Sequence, residues 1–124
     1  MLKDFLVGAQ LKKLDDNGFT VVKNNKEYHF KFDRDEGDCC GYTEIETRLY
    51  VSNSELKNNP IITKVTQKEN DDGEEDLGVI TLYGEYKPIG EIIAQTSSGS
   101  GWCYGATVSV RCELAGVDEI ISQY

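Results

Sequence analysis

Four cysteines and a single histidine are the residues of this chain best suited to binding a metal. Cys39 and Cys40 are adjacent, whereas Cys103 lies far along the chain. Zinc takes four tetrahedral ligands, so these three cysteines would need Cys112 or His29 as the fourth. Because the sequence has no C-x-x-C pair, two loops would have to meet, and the alternative is that the thiols pack beneath those loops. We expect no resident cofactor and keep a structural zinc domain as an alternative.

The segment 97–105, Ser-Ser-Gly-Ser-Gly-Trp-Cys-Tyr-Gly, contains the only tryptophan of the chain. In one interpretation Trp102 and Tyr104 cap the end of the core, a common role of large aromatic residues. In the other, backbone amides freed by the glycines, with Ser98 and Ser100, form the rim of a pocket in which the two aromatic rings stack on a ligand or partner. The segment lacks the Gly-Lys-Ser/Thr ending of a phosphate-binding loop.

No complete catalytic constellation is present. Ser98 and Ser100 have no paired histidine and aspartate, so a hydrolase is not indicated. His29, the only histidine, falls on the polar side of an alternating strand. Glu44 and Glu46 would lie about 7 Å apart on one exposed strand face and could act as acid and base. A solvated face explains them better, and we predict that the protein is not an enzyme.

Composition and charge limit the classes of partner. The 124 residues are 39% hydrophobic and 28% charged, which fits one soluble domain spanning residues 1–124. The net charge of −9 argues against direct nucleic-acid binding and favours a partner with a basic surface, although solubility alone could explain it. No apolar run reaches the roughly 20 residues of a membrane span. Residues 1–8 do not resemble a signal peptide, so we expect a cytoplasmic protein.

Alternating polarity predicts a mainly β fold. In residues 106–114, Val108, Val110, Cys112 and Leu114 share one side, which predicts that Cys112 is a small buried hydrophobe. Turn signals recur about every 8–12 residues, which is typical of a single-domain antiparallel sandwich or partly open barrel of 7–8 short strands. The expected strands are residues 9–14, 19–23, 27–33, 42–51, 61–68, 79–86, 89–96 and 106–114, followed by a strand or helical turn at 117–121.

A short helix or irregular lead-in at the N-terminus, one helical turn after residue 52 and an acidic hairpin tip complete the predicted fold. Leu2, Phe5 and Leu6 have helical spacing, and Ser52 with Glu55 matches a capping box that would start a turn at 52–58. The acidic run 70–76 contains no apolar residue. It lacks the ligand spacing of a calcium-binding EF-hand loop, so we expect it to be a solvated tip.

Four segments resemble one known family. They are Asp-Cys-Cys-Gly-Tyr-Thr-Glu at 38–44, Leu-Lys-Asn-Asn-Pro-Ile-Ile-Thr at 56–63, Leu-Tyr-Gly-Glu-Tyr at 82–86 and Ser-Gly-Ser-Gly-Trp-Cys-Tyr-Gly at 98–105. In these the chain resembles the DUF7448 family, small uncharacterised proteins found mainly in bacteriophages, prophages and Firmicute genomes. The resemblance covers nearly the whole chain. It implies a phage or prophage origin and a compact β fold, and it brings no assigned activity.

These observations predict a non-enzymatic phage or prophage accessory protein. It would bind and inhibit a host protein, such as a defence or nucleic-acid-handling factor, through an acidic surface in the bacterial cytoplasm. The alternatives are a domain that sequesters a small nucleotide-like ligand and the structural zinc domain. The residues predicted to bind the ligand or partner are Asp38, Tyr42, Ser98, Ser100, Trp102 and Tyr104.

Overall fold

The computed structural model describes residues 2–36, 41–71, 73, 75–97 and 106–124. Within these residues the chain forms nine strands and two short helices. The helices are α1 (Leu2–Leu6) and α2 (Asn53–Lys57). The strands are β1 (Gln10–Asp15), β2 (Gly18–Lys23), β3 (Lys26–Asp35), β4 (Tyr42–Leu49), β5 (Lys64–Asp71), β6 (Glu75–Tyr83), β7 (Pro88–Ser97), β8 (Thr107–Cys112) and β9 (Val117–Gln123). None of the described helices is long and apolar enough to cross a membrane.

The strands form two antiparallel sheets, which confirms the predicted mainly β sandwich. The five-stranded sheet has the order β1-β2-β3-β8-β9, and the four-stranded sheet has the order β4-β7-β6-β5. Neither sheet closes into a barrel within the described residues. The final segment, expected to be a strand or a helical turn, is β9, which pairs with β8 from Val117 to Gln123.

Strand β3 pairs with strands in both halves of the five-stranded sheet. Residues 26–31 pair with β2, and residues 31–35 pair with β8. The turn between β2 and β3 is made by Asn24 and Asn25, whose φ angles of 53° and 62° are those of a tight hairpin. As a result, one long strand links the β1-β2 hairpin to the β8-β9 hairpin.

Two strands begin three or more residues away from their expected first residues. The strand predicted at 61–68 begins at Lys64, because Ile62 instead exchanges backbone hydrogen bonds with Gly8 and Ala9, at 2.7 and 2.8 Å. The strand predicted at 79–86 is Glu75–Tyr83, because the β5-β6 ladder continues into the acidic run as far as the Asp71–Asp76 pair. The run 70–76 is therefore only partly a hairpin tip. The prediction that this run is solvated was wrong for Asp76, which is 1% exposed.

The N-terminal segment is a short helix, and the helical turn predicted after residue 52 is present. Leu2 and Leu6 of α1 are fully buried, so the short helix covers one end of the core. Ser52 is the N-cap of α2, where its Oγ accepts a hydrogen bond from the Glu55 amide at 3.2 Å. This bond satisfies an amide that has no partner within the helix.

One hydrophobic cluster fills the space between the sheets. Alternate residues of the strands contribute to it, so Ile80 and Leu82 of β6 and Val108 and Val110 of β8 belong to the same interior. Cys112 is 5% exposed and carries a free thiol in this cluster, as its place in the alternation predicted. Leu114, expected on the same side, is 59% exposed because β8 ends at Cys112.

Candidate functional site

Most residues predicted to bind a ligand or metal lie outside the described part of the chain. These are Asp38, Cys39, Cys40, Ser98, Ser100, Trp102, Cys103 and Tyr104. Tyr42 is described and is the first residue of β4. Its ring is 46% exposed, and its hydroxyl donates to Oε2 of Glu44 at 3.0 Å. That hydrogen bond and the charge of Glu44 raise the pKa of Tyr42.

The residues that flank these undescribed segments lie at one end of the sandwich. Tyr42 of β4 pairs with Ser97 of β7, and Asp35 of β3 pairs with Thr107 of β8. Between the two sheets, Arg34 donates from Nε to Oγ1 of Thr43 at 3.0 Å and from Nη2 to its carbonyl at 2.6 Å. The ladders therefore bring the ends of β3 and β7 together with the starts of β4 and β8.

The β5-β6 hairpin points to the same end. Glu75, the first residue of β6, pairs with Ser97, and the Tyr124 hydroxyl donates to the carbonyl of Gly73 at 2.9 Å. Acidic residues that are scattered along the sequence are gathered here. We call this region the acidic end and define it by its described carboxylates: Asp35, Glu36, Glu44, Glu69, Asp71, Glu75 and Asp76.

Asp76 is the buried member of the acidic end and fixes the last strand. Its Oδ2 accepts hydrogen bonds from Ser122 Oγ at 2.9 Å and from the Gln123 amide at 2.8 Å. Ser122 Oγ also lies 2.9 Å from Oγ1 of Thr96. Asp76 thereby connects β6 to β9, across the two sheets. The sequence contained a signal for this burial, because Asp76 shares its strand side with Ile80 and Leu82.

Glu69 and Asp76 form a carboxyl pair on neighbouring strands. The hydrogen bond to Asp76 raises the pKa of Glu69 to about 7, and burial and the charges of Asp76 and Asp71 act in the same direction. A carboxyl–carboxylate hydrogen bond requires one proton. At neutral pH the Glu69 carboxyl therefore holds its proton more tightly than an ordinary glutamate.

Replacing Glu69 with glutamine should remove a pH dependence of stability. The folded chain holds the Glu69 proton more tightly than the unfolded chain, so this group stabilises the fold below about pH 4.5 and the contribution is lost as pH rises through about 7. We expect Glu69→Gln to unfold at the same urea concentration as the original chain near pH 4.5 and at a higher one at pH 8. Glu113→Gln, at an exposed turn position, is the control. If the stability of Glu69→Gln changed with pH in the same way as that of the original chain, the proposed carboxyl pair of Glu69 and Asp76 would be contradicted.

The remaining predicted site residues have structural or solvent-exposed settings. The imidazole of His29 is 68% exposed, and its Nδ1 lies 3.0 Å from Oγ1 of Thr20. Glu44 bonds Tyr42, and Glu46 lies 3.4 Å from Nε of Arg48, so neither is placed as half of an acid and base pair. The described residues contain no group of three or more His, Cys, Asp or Glu that could hold a metal ion.

A groove of about 500 Å³ lies at the opposite end of the sandwich, and most of its lining residues belong to the segments 56–63 and 82–86 that carry the family resemblance. Its walls are the connection from α2 to β5 and the β6-β7 hairpin. Ile61 is 52% and Tyr86 is 92% exposed beside it, and a salt bridge of 3.0 Å joins Lys87 to Glu55 at its edge. Ile61 was expected in the strand 61–68 and Tyr86 at the end of the strand 79–86, so a groove between the two segments was not predicted.

The fold and its acidic end define the chain as a two-sheet antiparallel β-sandwich with carboxylates concentrated at one end. No family model matches the chain, and searches among curated proteins and solved structures give no match. The resemblance to the DUF7448 family remains a prediction. The nucleotide-ligand and zinc alternatives also remain predictions, since they depend on residues 37–40 and 98–105, outside the described parts of the chain.

Proposed function

We propose that this chain is a non-enzymatic binding protein whose acidic end docks on a basic surface of a host protein and blocks it. The observation that carries the proposal is the gathering of carboxylates from β3, β4, β5 and β6 at one end of a single sandwich. Surfaces of one charge sign attract partners of the opposite sign, raise association rates and exclude wrong partners.

The ladders give the acidic end a rigid frame. Glu36 accepts a hydrogen bond from Thr43 at 3.2 Å, and Asp71 accepts one from the Gly73 amide at 2.8 Å. Because these carboxylates are attached to paired strands or short turns, little backbone freedom has to be lost on binding. A preorganised acidic surface binds more tightly than the same charges on a flexible tail.

Basic side chains lie at the other end of the molecule and leave the charge unevenly distributed. Lys57 ends α2, Lys64 begins β5, and Lys87 lies in the β6-β7 hairpin, where it lines the groove. The resulting field favours approach of a basic partner to the acidic end. Host proteins that handle nucleic acids have basic grooves for phosphates, so the acidic end would compete for such a groove. The proposed location of this encounter is the cytoplasm of the bacterial host cell.

A matched pair of triple variants tests the proposal. Glu36→Gln, Glu69→Gln and Asp71→Asn together remove three of the seven carboxyl groups of the acidic end, whereas Glu27→Gln, Glu85→Gln and Glu113→Gln remove three carboxyl groups elsewhere at exposed positions. The immobilised original chain and both variants are incubated with host lysate, and retained proteins are identified by mass spectrometry. We expect a basic protein to be retained by the original chain and by the control. It should bind the acidic-end variant about tenfold more weakly, since each exposed ion pair contributes about 0.2–1 kcal/mol.

Two further measurements complete the test: the dependence of binding on salt concentration and the activity of the purified partner. Binding should weaken as ionic strength rises, because exposed charges are screened over about 8–10 Å at physiological salt. The purified partner should lose its activity when the original chain is added in excess. Equal retention of one partner by both triple variants, or retention only of acidic proteins, would contradict the proposed function.

A further inference from the structure

The outward face of the four-stranded sheet has an apolar centre. Its inward side chains, such as Ile80 and Ile92, belong to the core. On the outward side, Leu77, Val79 and Ile93 lie on the two central strands, where Leu77 is 36% exposed and the other two are half-buried. Val79 of β6 is paired directly with Ile93 of β7. An antiparallel sheet with one solvated face usually places polar residues there, so this centre marks an interaction surface.

Charges of opposite sign border this apolar centre. On the β4 side, Glu46 pairs with Ile93, and on the β5 side, Lys68 pairs with Val79. The register therefore gives one continuous row across the sheet in the order acid, apolar, apolar, base. All four side chains point outward, because they occupy paired positions of adjacent strands.

When two copies stack with their outward faces together about a two-fold axis parallel to the strands, this row of one copy is complementary to the same row of the other. Such an axis reverses the strand order, so that β4 of one copy lies over β5 of the other. Glu46 then faces Lys68 of the second copy, and Ile93 faces its Val79. In the next row, Arg48 of β4 faces Thr66 of the second copy, since Arg48 and Thr66 lie at opposite ends of a row through Glu91 and Thr81. The neighbouring row places Glu44 opposite Asn70 by the same rule.

We propose that two copies of this chain form a dimer through the outward faces of their four-stranded sheets, about a two-fold axis parallel to the strands. The alternative axis, across the strands, would stack β4 on β4 and bring Glu46 against Glu46 of the second copy. Like charges in direct opposition are destabilising, so charge complementarity selects the first arrangement. Aligned packing of two sheets is a standard arrangement in β-sandwiches.

The size of the face sets the strength of the dimer. β4 is 8 residues long, so the face is about 26 Å long and, with four strands about 4.8 Å apart, about 19 Å wide. The flat area is about 500 Å² per copy before side-chain relief is included, against about 800 Å² per partner in a standard interface. We therefore expect a reversible dimer whose population depends on concentration.

The outward face of the five-stranded sheet carries an arginine that is bridged to two aspartates of the same face. There Arg111 of β8 lies 3.3 Å from Asp33 of β3 and 3.5 Å from Asp118 of β9. These charges are already paired within one chain. On the four-stranded sheet Glu46 is bridged at 3.4 Å to Arg48 of its own strand, whereas Lys68 lies across the apolar strip, where Glu46 of a second copy can reach it.

Sedimentation of the full chain over a concentration series tests the dimer. The original chain should change from 13.9 kDa to twice that mass as concentration rises. Glu46→Lys and Lys68→Glu should each raise the dissociation constant about tenfold or more, because each places like charges in opposition. The double variant that carries both changes should dimerise like the original chain. Ile93→Lys should stay monomeric, and Glu113→Lys, at an exposed turn, should dimerise normally.

Circular dichroism and urea unfolding of each variant establish that the sheet is intact. The recovery of the dimer in the double variant is the sharpest result, since a variant damaged in folding would not be repaired by a second surface change. A chain that stays at 13.9 kDa up to millimolar concentration overturns the proposal. So does a dimer that Glu46→Lys and Ile93→Lys leave unchanged, or a double variant that stays monomeric. These outcomes do not depend on the partner-binding test, because the residues neutralised there are Glu36, Glu69 and Asp71.

Discussion

Replacing Gly78 with alanine is expected to lower the free energy of unfolding by about 3 kcal/mol. Gly78 lies on the inward side of β6, where β9 crosses it, and a Cβ at this position would lie 1.9 Å from the carbonyl oxygen of Ile121. Both groups belong to hydrogen-bonded strands, so the overlap can be relieved only by moving backbone. Overpacking in rigid cores commonly costs about 1–3 kcal/mol, and a backbone clash belongs at the upper end of that range.

The measurement is urea or thermal unfolding followed by circular dichroism, with a fall in Tm of about 10 °C or more. Gly8→Ala is the matched control. A Cβ at Gly8 meets nothing within 4 Å, but its φ of +91° is unfavourable for alanine. The control should lose only about 1–2 kcal/mol from backbone strain. If Gly78→Ala were no less stable than Gly8→Ala, β9 would not pack on β6 as closely as described.

Phe30→Ala is expected to cost about 3–5 kcal/mol, the usual range for removing a buried phenylalanine. Phe30 is 2% exposed, and its ring stacks on Phe19 with 4.8 Å between ring centroids and an angle of 6° between ring planes. Its ring also lies 5.7 Å from that of Phe5 in α1. The substitution therefore opens a cavity and weakens the attachment of the N-terminal helix to the sheet.

Chemical denaturation measures the loss in the free energy of unfolding. Phe30→Leu separates the cost of the cavity from the cost of losing the ring stacking. Leucine keeps most of the buried volume but removes the ring stacking, so its cost should be well below that of alanine. Phe5→Ala should weaken α1 while leaving the Phe19 and Phe30 stack in place. Equal losses for Phe30→Leu and Phe30→Ala would show that cavity formation is not the main cost.

Alternation of polarity was sufficient to predict the class of fold. In β8 the apolar residues Val108 and Val110 and the polar residues Ser109 and Arg111 separate onto two sides, and the structure buries them accordingly. The capping box at Ser52 was equally local, because its hydrogen bond joins residues three apart. Features fixed by one strand or one turn were therefore readable from the sequence.

Features that depend on strand order were not readable. Alternation gives the strand side of Asp76, but its hydrogen bonds require Ser122 and Gln123 to lie beside it, which the sequence separation conceals. The acidic end likewise exists only because β3, β4, β5 and β6 all have an end at one side of the sandwich. Tyr42 is the member of the predicted binding set that the structure describes, and it lies at that end. The charge expected of a partner followed from the composition of the sequence. The position of the acidic end could be found only from the order of the strands in the two sheets.

The placement of β4 to β7 between β3 and β8 has a consequence for the order of folding. Asp35 and Thr107 must meet across a long intervening segment, and closing such a loop costs roughly 4 kcal/mol of chain entropy. Pairing of Tyr42 with Ser97 shortens that path, because it draws the two distant ends of the segment together. The four-stranded sheet should therefore assemble early, and completion of the five-stranded sheet should be the slow event that leads to the native state.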